Sequence, residues 1–288
     1  MVAPSVRAMK FGFVGSFGTP AQHVALAREA EAHGWDGFFT WDAISMGPFG
    51  PTWDPFAVLA SVAAVTERIT LGAMVFAAPR HRPWEFAQRA LTVDHLSGGR
   101  LVLPVGVGVL DDQGYTSVGG QLTGLKERAE LLDDVLAFLE QSWSGEPFTF
   151  DGTHLHVGEM VFPEPPVNGR IPVWPVGVWD TARPPAKNLR RTLRWDGIVA
   201  QIRSSMDEPG PAEIAAMRRW LSDHADTEKP FEIVTPGQLS GDREQDAELA
   251  RARAEAGATW WIESWWDPKT TTPETLLEKV RQGPPRQG

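Results

Sequence analysis

The sequence predicts an α/β protein built as a (β/α)8 TIM barrel. Short apolar runs alternate with helical stretches, the alternation repeats eight times along 288 residues, and the apolar runs are continuous. Strands that are separated by helices must be parallel, and helices that cover the sheet bury such strands on both faces. Eight units in a chain of this length favour a closed barrel over an open doubly wound sheet.

The first half of the chain carries four strand–helix units. Gly34 is a natural C-terminal stop for the first helix, and Asp54 with Pro55 forms a typical start for the second. The predicted strands are 10–15, 36–42, 69–77 and 100–106, and the predicted helices are 20–34, 54–68, 83–99 and 125–143.

A segment at about 144–170 interrupts the alternation. It is rich in Gly, Pro and alternating residues, which predicts a small β-hairpin insertion. The alternation then resumes, and no shift in composition marks a second domain, so we expect one domain over 1–288. The later strands are 171–177, 196–202, 230–237 and 258–264, and the later helices are 184–195, 210–225, 243–257 and 272–283.

Composition narrows the class of ligand. Lys and Arg total 27 against 37 Asp and Glu, and this acidic balance argues against nucleic acid or anionic lipid as a partner. The chain has no cysteine, which excludes disulfides, thiolate metal sites and a cysteine nucleophile. No apolar run is long enough for a signal peptide or a membrane span, so we expect a cytoplasmic protein. Thirteen tryptophans suit the walls of a small-molecule pocket.

The glycines of PVGVGVLDDQG (104–114) allow two interpretations. A dinucleotide fingerprint would follow the first strand and read GxGxxG, whereas Gly106 and Gly108 follow the fourth strand and position 111 is Asp. In a barrel the same glycines lie at the C-terminal mouth, where active sites are built. They either let a flat ligand approach the backbone or relieve crowding at the barrel taper.

Four stretches of the chain carry a family resemblance. They are GWDGFFTWD (34–42), TERITLGAMVFAAPRHRPWEFAQRALTVDHLSGGRLVLPVGVG (66–108), the insertion that runs into IPVWPVG (145–177), and EAGATWWIES (255–264). Together they resemble the bacterial luciferase-like monooxygenase superfamily, over about residues 10–283. This superfamily includes flavin-dependent monooxygenases and coenzyme F420-dependent oxidoreductases.

The resemblance implies a barrel that holds FMN or F420 at the carboxyl ends of its strands. The ring would lie over the third and fourth strands, with a non-prolyl cis peptide at Met74-Val75 or an adjacent bond. The phosphate end would meet Gly106 to Gly108 and the loop from Gly177 to Thr181, with Arg183 just beyond. The cofactor-binding residues so implied are Trp41, Asp42, Met74, Val75, Gly106, Val107, Gly108, Val176, Gly177, Val178, Trp179 and Arg183.

Three positions depart from the family pattern. Many relatives have Asp-His at the end of the second strand, where this chain has Asp42-Ala43. Val107 stands where luciferase proper has an arginine, and Val109 stands where some F420 enzymes have a catalytic glutamate. The fold inference survives these changes, which leave FMN and F420 both open. Relatives often form dimers, so the resemblance also implies a homodimer.

Three residues are candidates for catalysis. Asp42 ends the second strand at the mouth and either binds cofactor or substrate or caps the next loop. His81, with Arg80, either acts on the substrate or belongs to a solvated loop. Glu263 would be a general acid with a raised pKa if it faces the mouth among indoles, and an ion-pair partner if it faces the helix layer.

The remaining candidates concern metal binding and the substrate pocket. Asp111 and Asp112 point opposite ways in an extended segment, so a metal pair is improbable, and we expect no metal site. The expected substrate-pocket residues are Phe17, Trp174, Gln201, Trp265 and Trp266. A non-redox barrel that kept the scaffold for ligand binding is the alternative to an oxidoreductase.

Overall fold

The computed structural model describes residues 8–180, 182–183, 187–203, 208–225 and 230–285. The described strands are β1 (Lys10–Val14), β2 (Gly37–Thr40), β3 (Thr70–Ala73), β4 (Phe76–Ala77), β5 (Leu103–Gly106), β6 (Phe148–Asp151), β7 (His156–Met160), β8 (Val173–Trp179), β9 (Gly197–Ile202), β10 (Glu232–Gly237) and β11 (Trp260–Glu263). The described α-helices are α1 (Pro20–Ala32), α2 (Pro55–Ala63), α3 (Pro83–Ser97), α4 (Gln113–Thr116), α5 (Leu125–Ser142), α6 (Lys187–Thr192), α7 (Pro211–His224), α8 (Arg243–Ala256) and α9 (Pro273–Gln282).

The predicted parallel barrel is confirmed. The sheet order is β3-β2-β1-β11-β10-β9-β8-β5-β4, and every pairing within it is parallel. β3 and β4 are two halves of the third predicted strand. Leu71 of β3 closes the ring, because its N–H donates to Arg100 O at 3.0 Å and its carbonyl accepts from Val102 N at 2.8 Å.

The segment between α5 and β8 lies outside this ring. β6 and β7 form an antiparallel pair, with Phe150 opposite Val157. Asp134 of α5 anchors the turn between them, since its carboxylate accepts from the amides of Thr153 and His154 at 3.1 and 2.6 Å. None of the described helices is both long and apolar enough to cross a membrane.

Side chains cap the N-termini of several helices at the carboxyl end of the barrel. Thr19 and Thr272 each form a capping box, at α1 and α9. Asp54 accepts from Ala57 N at 2.8 Å, and Asp242 accepts from Glu244 N at 3.0 Å, which caps α2 and α8. These four helix N-termini are therefore capped by the chain itself.

Aromatic rings fill the bottom of the barrel interior. Phe39, Trp174 and Trp260 are almost completely buried, and their ring centroids lie 5.5 to 6.4 Å apart. Glycines on neighbouring strands make room for Phe39. A Cβ at Gly12 would lie 2.5 Å from Phe39 Cε2, and a Cβ at Gly72 would lie 3.0 Å from Phe39 Cε1. The floor is closed because large rings stand opposite glycines.

We expect Gly12→Ala to cost roughly 1–3 kcal/mol of unfolding free energy, because the added methyl overpacks the ring of Phe39. Phe39→Leu also destabilises the protein, since it removes buried ring volume. The double variant should lose less than the sum of the two single losses, because the shorter side chain leaves room for the methyl. Urea unfolding of the four proteins measures this coupling.

Gly158→Ala on β7 is the control for this cycle, because a Cβ there meets nothing within 4 Å. It should add independently to Phe39→Leu. If the losses of unfolding free energy for Gly12→Ala and Phe39→Leu are additive, the Phe39 ring is not the reason that position 12 requires glycine.

Candidate active site at the barrel mouth

Asp42 organises the segment that follows the broken third strand. It lies just past β2, and its side chain is 0% exposed. Oδ2 accepts a hydrogen bond from Ala77 N at 2.9 Å and lies 2.8 Å from His81 Nε2, while Oδ1 accepts from Arg80 Nη2. The carboxylate is fully occupied by the chain, so Asp42 holds the end of β4 and the following turn in place.

The surroundings of Asp42 favour its charged form. Burial by itself would raise the pKa of this carboxyl. The hydrogen bond and charge of His81, the charge of Arg80 and the Ala77 amide more than offset that effect, and the pKa of Asp42 lies below its ordinary value. An ionised Asp42 therefore pairs with the guanidinium beside it.

Arg80 joins Asp42 to a second buried carboxylate. Its Nε lies 3.1 Å from Asp112 Oδ2, and its side chain is 8% exposed. Oδ1 of Asp112 accepts from the amides of Ile44 and Gly114 at 2.9 and 3.0 Å. The Asp42–Arg80–Asp112 chain thus ties together the loops that follow β2, β4 and β5.

Backbone pairing reinforces that connection. Met46 and Asp112 form an antiparallel bridge, and Gln113 N donates to Ser45 O at 2.9 Å. A Cβ at Gly114 would lie 2.5 Å from Arg80 Cδ, so glycine is needed where the two loops meet around the arginine. The β2–α2 loop and the segment before α4 therefore form one rigid rim.

Two side chains hold the loop after β5. Tyr115 Oη donates to Val107 O at 3.1 Å, and Arg128 Nη1 donates to Val107 O and Gly108 O at 3.1 and 2.7 Å. Burial raises the pKa of Tyr115, which keeps its hydroxyl as a donor. Gly108 has φ +72°, and a Cβ there would lie 2.5 Å from the Tyr115 ring. The Val107–Gly108 backbone is fixed.

Met74, Val75 and Val176, together with Gly106, form an apolar shelf above the aromatic floor. The Met74–Val75 peptide bond is cis, as the resemblance implied. Met74, Val75 and Val176 pack against the inner cluster yet remain partly exposed. A Cβ at Gly106 would lie 3.1 Å from Val75 Cγ2 and 3.4 Å from Val176 Cγ2. Glycine at position 106 therefore lets the side chains of Val75 and Val176 approach the backbone of β5 closely.

An aromatic wall stands on the opposite side of the mouth. Trp266 meets Trp41 edge-on with ring centroids 5.7 Å apart, and it meets Phe49 at 6.2 Å. Trp41 Nε1 donates to Ser16 O at 2.6 Å. The hydroxyl of Ser16 is buried and has no hydrogen-bond partner among the described residues. The wall offers ring surfaces and one unsatisfied hydroxyl.

Several residues expected at the mouth lie elsewhere because side chains alternate along a strand. Trp174 is the second residue of β8 and lies in the floor, since β8 continues past Pro175 to Trp179. Gly177 and Trp179 face the helices, as a Cβ at Gly177 would meet Ile198 and Leu189.

Glu263 also faces the helix layer, together with Trp265. Its carboxylate accepts from Trp265 Nε1 at 2.6 Å, Trp261 Nε1 at 3.0 Å and Leu239 N at 3.0 Å. It borders a groove of about 810 Å³ lined by residues of α8 and α9. Burial raises the pKa of Glu263 to about 7, although the three N–H donors and Lys279 act in the opposite direction. The condition for a general acid at the mouth is therefore not met.

The other expected residues lie around the rim. Gln201 is exposed near the end of β9, Phe17 is half-buried after β1, and Val178 alternates with Gly177 toward the interior. Arg183 is exposed. Thr181 and residues 184–186 lie outside the described residues, so the phosphate loop and helix start expected there are described only in part.

Sequence reasoning missed Asp112, Tyr115 and Arg128 as organisers of the site. The sequence presents Asp112 only as half of an improbable metal pair, yet its carboxylate accepts three backbone hydrogen bonds and forms an ion pair with Arg80. The available signal was the pair of glycines, Gly108 and Gly114, whose positions reflect the close approach of these side chains. The described residues contain no group of three potential metal ligands.

Comparisons with known proteins agree with this geometry. A family model described as luciferase-like monooxygenase matches residues 7–262. The chain is 27% identical over 282 residues to the F420-dependent glucose-6-phosphate dehydrogenase 1 of Rhodococcus jostii, covering 92% of this chain and 76% of the relative. The monooxygenase RslO1 of Streptomyces bottropensis has a TM-score of 0.70 at 17% identity, over 95% and 97% of the two chains. The coenzyme F420-dependent tetrahydromethanopterin reductase of Methanopyrus kandleri has a TM-score of 0.69 at 14% identity, over 96% and 98%.

Arg80→Ala should destabilise the protein by about 3–5 kcal/mol, because it leaves two buried carboxylates without their cation. Arg82→Ala is the matched control: its side chain is 71% exposed and, among the described residues, it pairs with Glu85 alone, so we expect a loss below about 1 kcal/mol. Urea unfolding measures both. Equal losses for the two variants would contradict the role given to Arg80.

Glu263 should make the protein less stable as the pH rises. The unfolded chain releases this proton near pH 4.5 and the folded chain near pH 7, so the unfolding free energy falls between these values and is flat above them. The fall amounts to roughly 3 kcal/mol. In Glu263→Gln this part of the pH profile should disappear, whereas Glu248→Gln on the exposed face of α8 should keep it. A Glu263→Gln profile parallel to wild type would contradict the assignment.

Proposed function

The chain belongs to the luciferase-like monooxygenase family, and from this premise we propose that it is an oxidoreductase that binds a reduced flavin-type cofactor at the barrel mouth. Coenzyme F420 is the first candidate, since curated relatives that cover most of this chain are named F420-dependent dehydrogenases. FMN is the second candidate, favoured by the monooxygenase description of the family model.

The shelf at Gly106 is the observation that carries the proposal. A planar ring needs a flat, dry support and backbone that it can approach closely. Gly106 supplies the close approach, and Val75 and Val176 supply apolar contact on either side. Below the shelf Phe39, Trp174 and Trp260 close the barrel, so a ring would rest above solid side chains.

The residues present fit such a cofactor. A Cβ at Gly106 would occupy the cradle, and Ser16 Oγ is a buried hydroxyl that lacks a partner among the described residues. When bound, F420 or FMN would supply two-electron redox chemistry that amino-acid side chains cannot perform. We propose that Met74, Val75, Gly106 and Val176 hold the ring, and that Val107 and Gly108 face its tail.

The remaining residues of the mouth would hold this surface in shape. Asp42 and Arg80 fix the turn after β4, and Asp112 fixes the rim above it. His81 packs against Phe56 and Phe86 with Nε2 on Asp42, so we propose a positioning role for it and no direct contact with the substrate. Trp41 and Trp266 would exclude water from the reacting centre.

The proposal extends to assembly and location. We propose a homodimer in the cytoplasm, supported by apolar side chains exposed on α3 and beside it, namely Trp84, Leu96, Val161 and Val167. Light scattering of the purified protein tests the assembly: a monomer at micromolar concentration would contradict it.

Binding of oxidised F420 and of FMN, each followed by equilibrium dialysis, tests the function. We expect one of the two to bind at a single site. Gly106→Leu should weaken that binding at least tenfold, because the side chain projects into the shelf. Gly119→Leu is the matched control, since a Cβ at this exposed loop position meets nothing within 4 Å.

The outcomes separate the alternatives. Turnover of bound reduced F420 without dioxygen supports a hydride-transferring reductase, and consumption of dioxygen with reduced FMN supports a monooxygenase. Binding of neither cofactor, with both variants folded, would overturn the proposal in favour of a non-redox barrel.

A further inference from the structure

The buried cations at the mouth already bind other groups of the chain. The two buried cations of the described mouth loops and adjoining helix starts are Arg80 and Arg128. Arg80 lies between Asp42 and Asp112, and Arg128 donates to two backbone carbonyls. Arg80 is thus paired with two carboxylates, and Arg128 lies at the Val107–Gly108 segment, on the side of the proposed cofactor tail and not on the aromatic wall. The other described cations there, such as Arg82, Arg183 and Lys269, are exposed on the surface.

Helix N-termini beside the aromatic wall are also closed to anions. The caps of α1 and α9 are threonine side chains, and the caps of α2 and α8 are the carboxylates of Asp54 and Asp242. A capping carboxylate satisfies the helix dipole and repels phosphate. A sugar phosphate needs forked cations or free amide groups. The described part of this wall offers no buried cation, and each of these four helix N-termini already has a side-chain cap.

The wall itself suits an apolar ring. Trp41 and Trp53 have their indole N–H groups bonded to Ser16 O and Gly18 O, at 2.6 and 2.9 Å. Because these N–H groups are occupied, the two rings offer a ligand their π faces and edges. Trp266 and Phe49 continue this surface with edge-to-face contacts, a geometry that accepts a further ring.

The apolar character continues outward along the rim. Ile44, Val109, Leu110 and Val118 are each 43–55% exposed, and all lie on the two loops joined through Asp112. Such a patch beside a pocket marks a place where apolar ligand surface is buried. Neutral polar groups near the described mouth include the unpartnered Ser16 Oγ and the exposed Gln201 amide.

We propose that the substrate is an uncharged, ring-containing apolar molecule with one or two neutral polar groups, and not a phosphorylated sugar. This inference rests on the proposed function, since it names the substrate class of the same mouth. It separates this chain from relatives named glucose-6-phosphate dehydrogenases despite the shared fold.

Equilibrium dialysis with a matched pair of probes tests the proposal. 1-Naphthol and 1-naphthyl phosphate share one ring system and differ in charge, and glucose 6-phosphate is the third probe. Each is measured with the saturating oxidised cofactor that binds and also without cofactor. We expect 1-naphthol to bind at least tenfold more tightly than either phosphate. Equal or tighter binding of a phosphate would overturn the proposal.

Variants of the aromatic wall and the rim test where 1-naphthol binds. Trp266→Ala and Phe49→Ala should each weaken 1-naphthol binding by about three- to tenfold, because each removes an aromatic contact. Phe49 is half-buried in a short turn, so its variant serves if Trp266→Ala fails to fold. Ile44→Lys should reduce the ratio of the affinity for 1-naphthol to the affinity for 1-naphthyl phosphate. Val65→Ala is the control and should change nothing, because Val65 is exposed in the turn after α2, at the opposite end of the barrel. Unchanged binding in both aromatic variants would overturn the proposal.

Failure of this inference is distinguishable from failure of the proposed function. Cofactor that binds while a phosphate is preferred would refute the substrate class alone. Selective 1-naphthol binding without affinity for either cofactor would refute the oxidoreductase alone, because the cofactor-free measurement does not depend on redox chemistry.

Discussion

The buried Asp42 carboxylate is the interaction on which the mouth depends. A charge removed from water is tolerated only when it is paired and hydrogen-bonded, and Asp42 has an amide, a guanidinium and an imidazole as partners. The guanidinium is shared with Asp112, which in turn holds the rim. Three loops thus acquire fixed positions from one chain of charges, and the shelf at Gly106 is defined relative to them.

Below this network, the interior is divided into a closed floor and an open shelf. Large rings opposite glycines close the lower layer, while valine, methionine and glycine leave the upper layer shallow. The division agrees with the proposed site at the carboxyl end of this barrel, where active sites lie in other barrels of the class. Side-chain size along each strand, rather than strand geometry, determines the depth of the site.

The sequence predicted the architecture well, because apolar period and helix caps are local signals. Asp54, Gly34 and the eight apolar runs each carry their own evidence of structure. The site was predicted less completely. Trp174 was expected near a strand end and lies in the floor, because β8 continues to Trp179. Of the two orientations left open for Glu263, the folded chain has the one that faces the helices. Asp112 and Arg128 act across loops that only the folded chain brings together, so no local pattern could indicate their partners.

The fit of Phe39 against Gly12, Gly37 and Gly72 has an evolutionary consequence. A larger residue at any one of these four positions would crowd the others. We therefore expect the four positions to change together during evolution. The exposed apolar residues of the rim, such as Ile44 and Val109, meet no comparable restriction. A lineage can therefore exchange one chemistry for another at the rim while the base of its barrel keeps the same four residues.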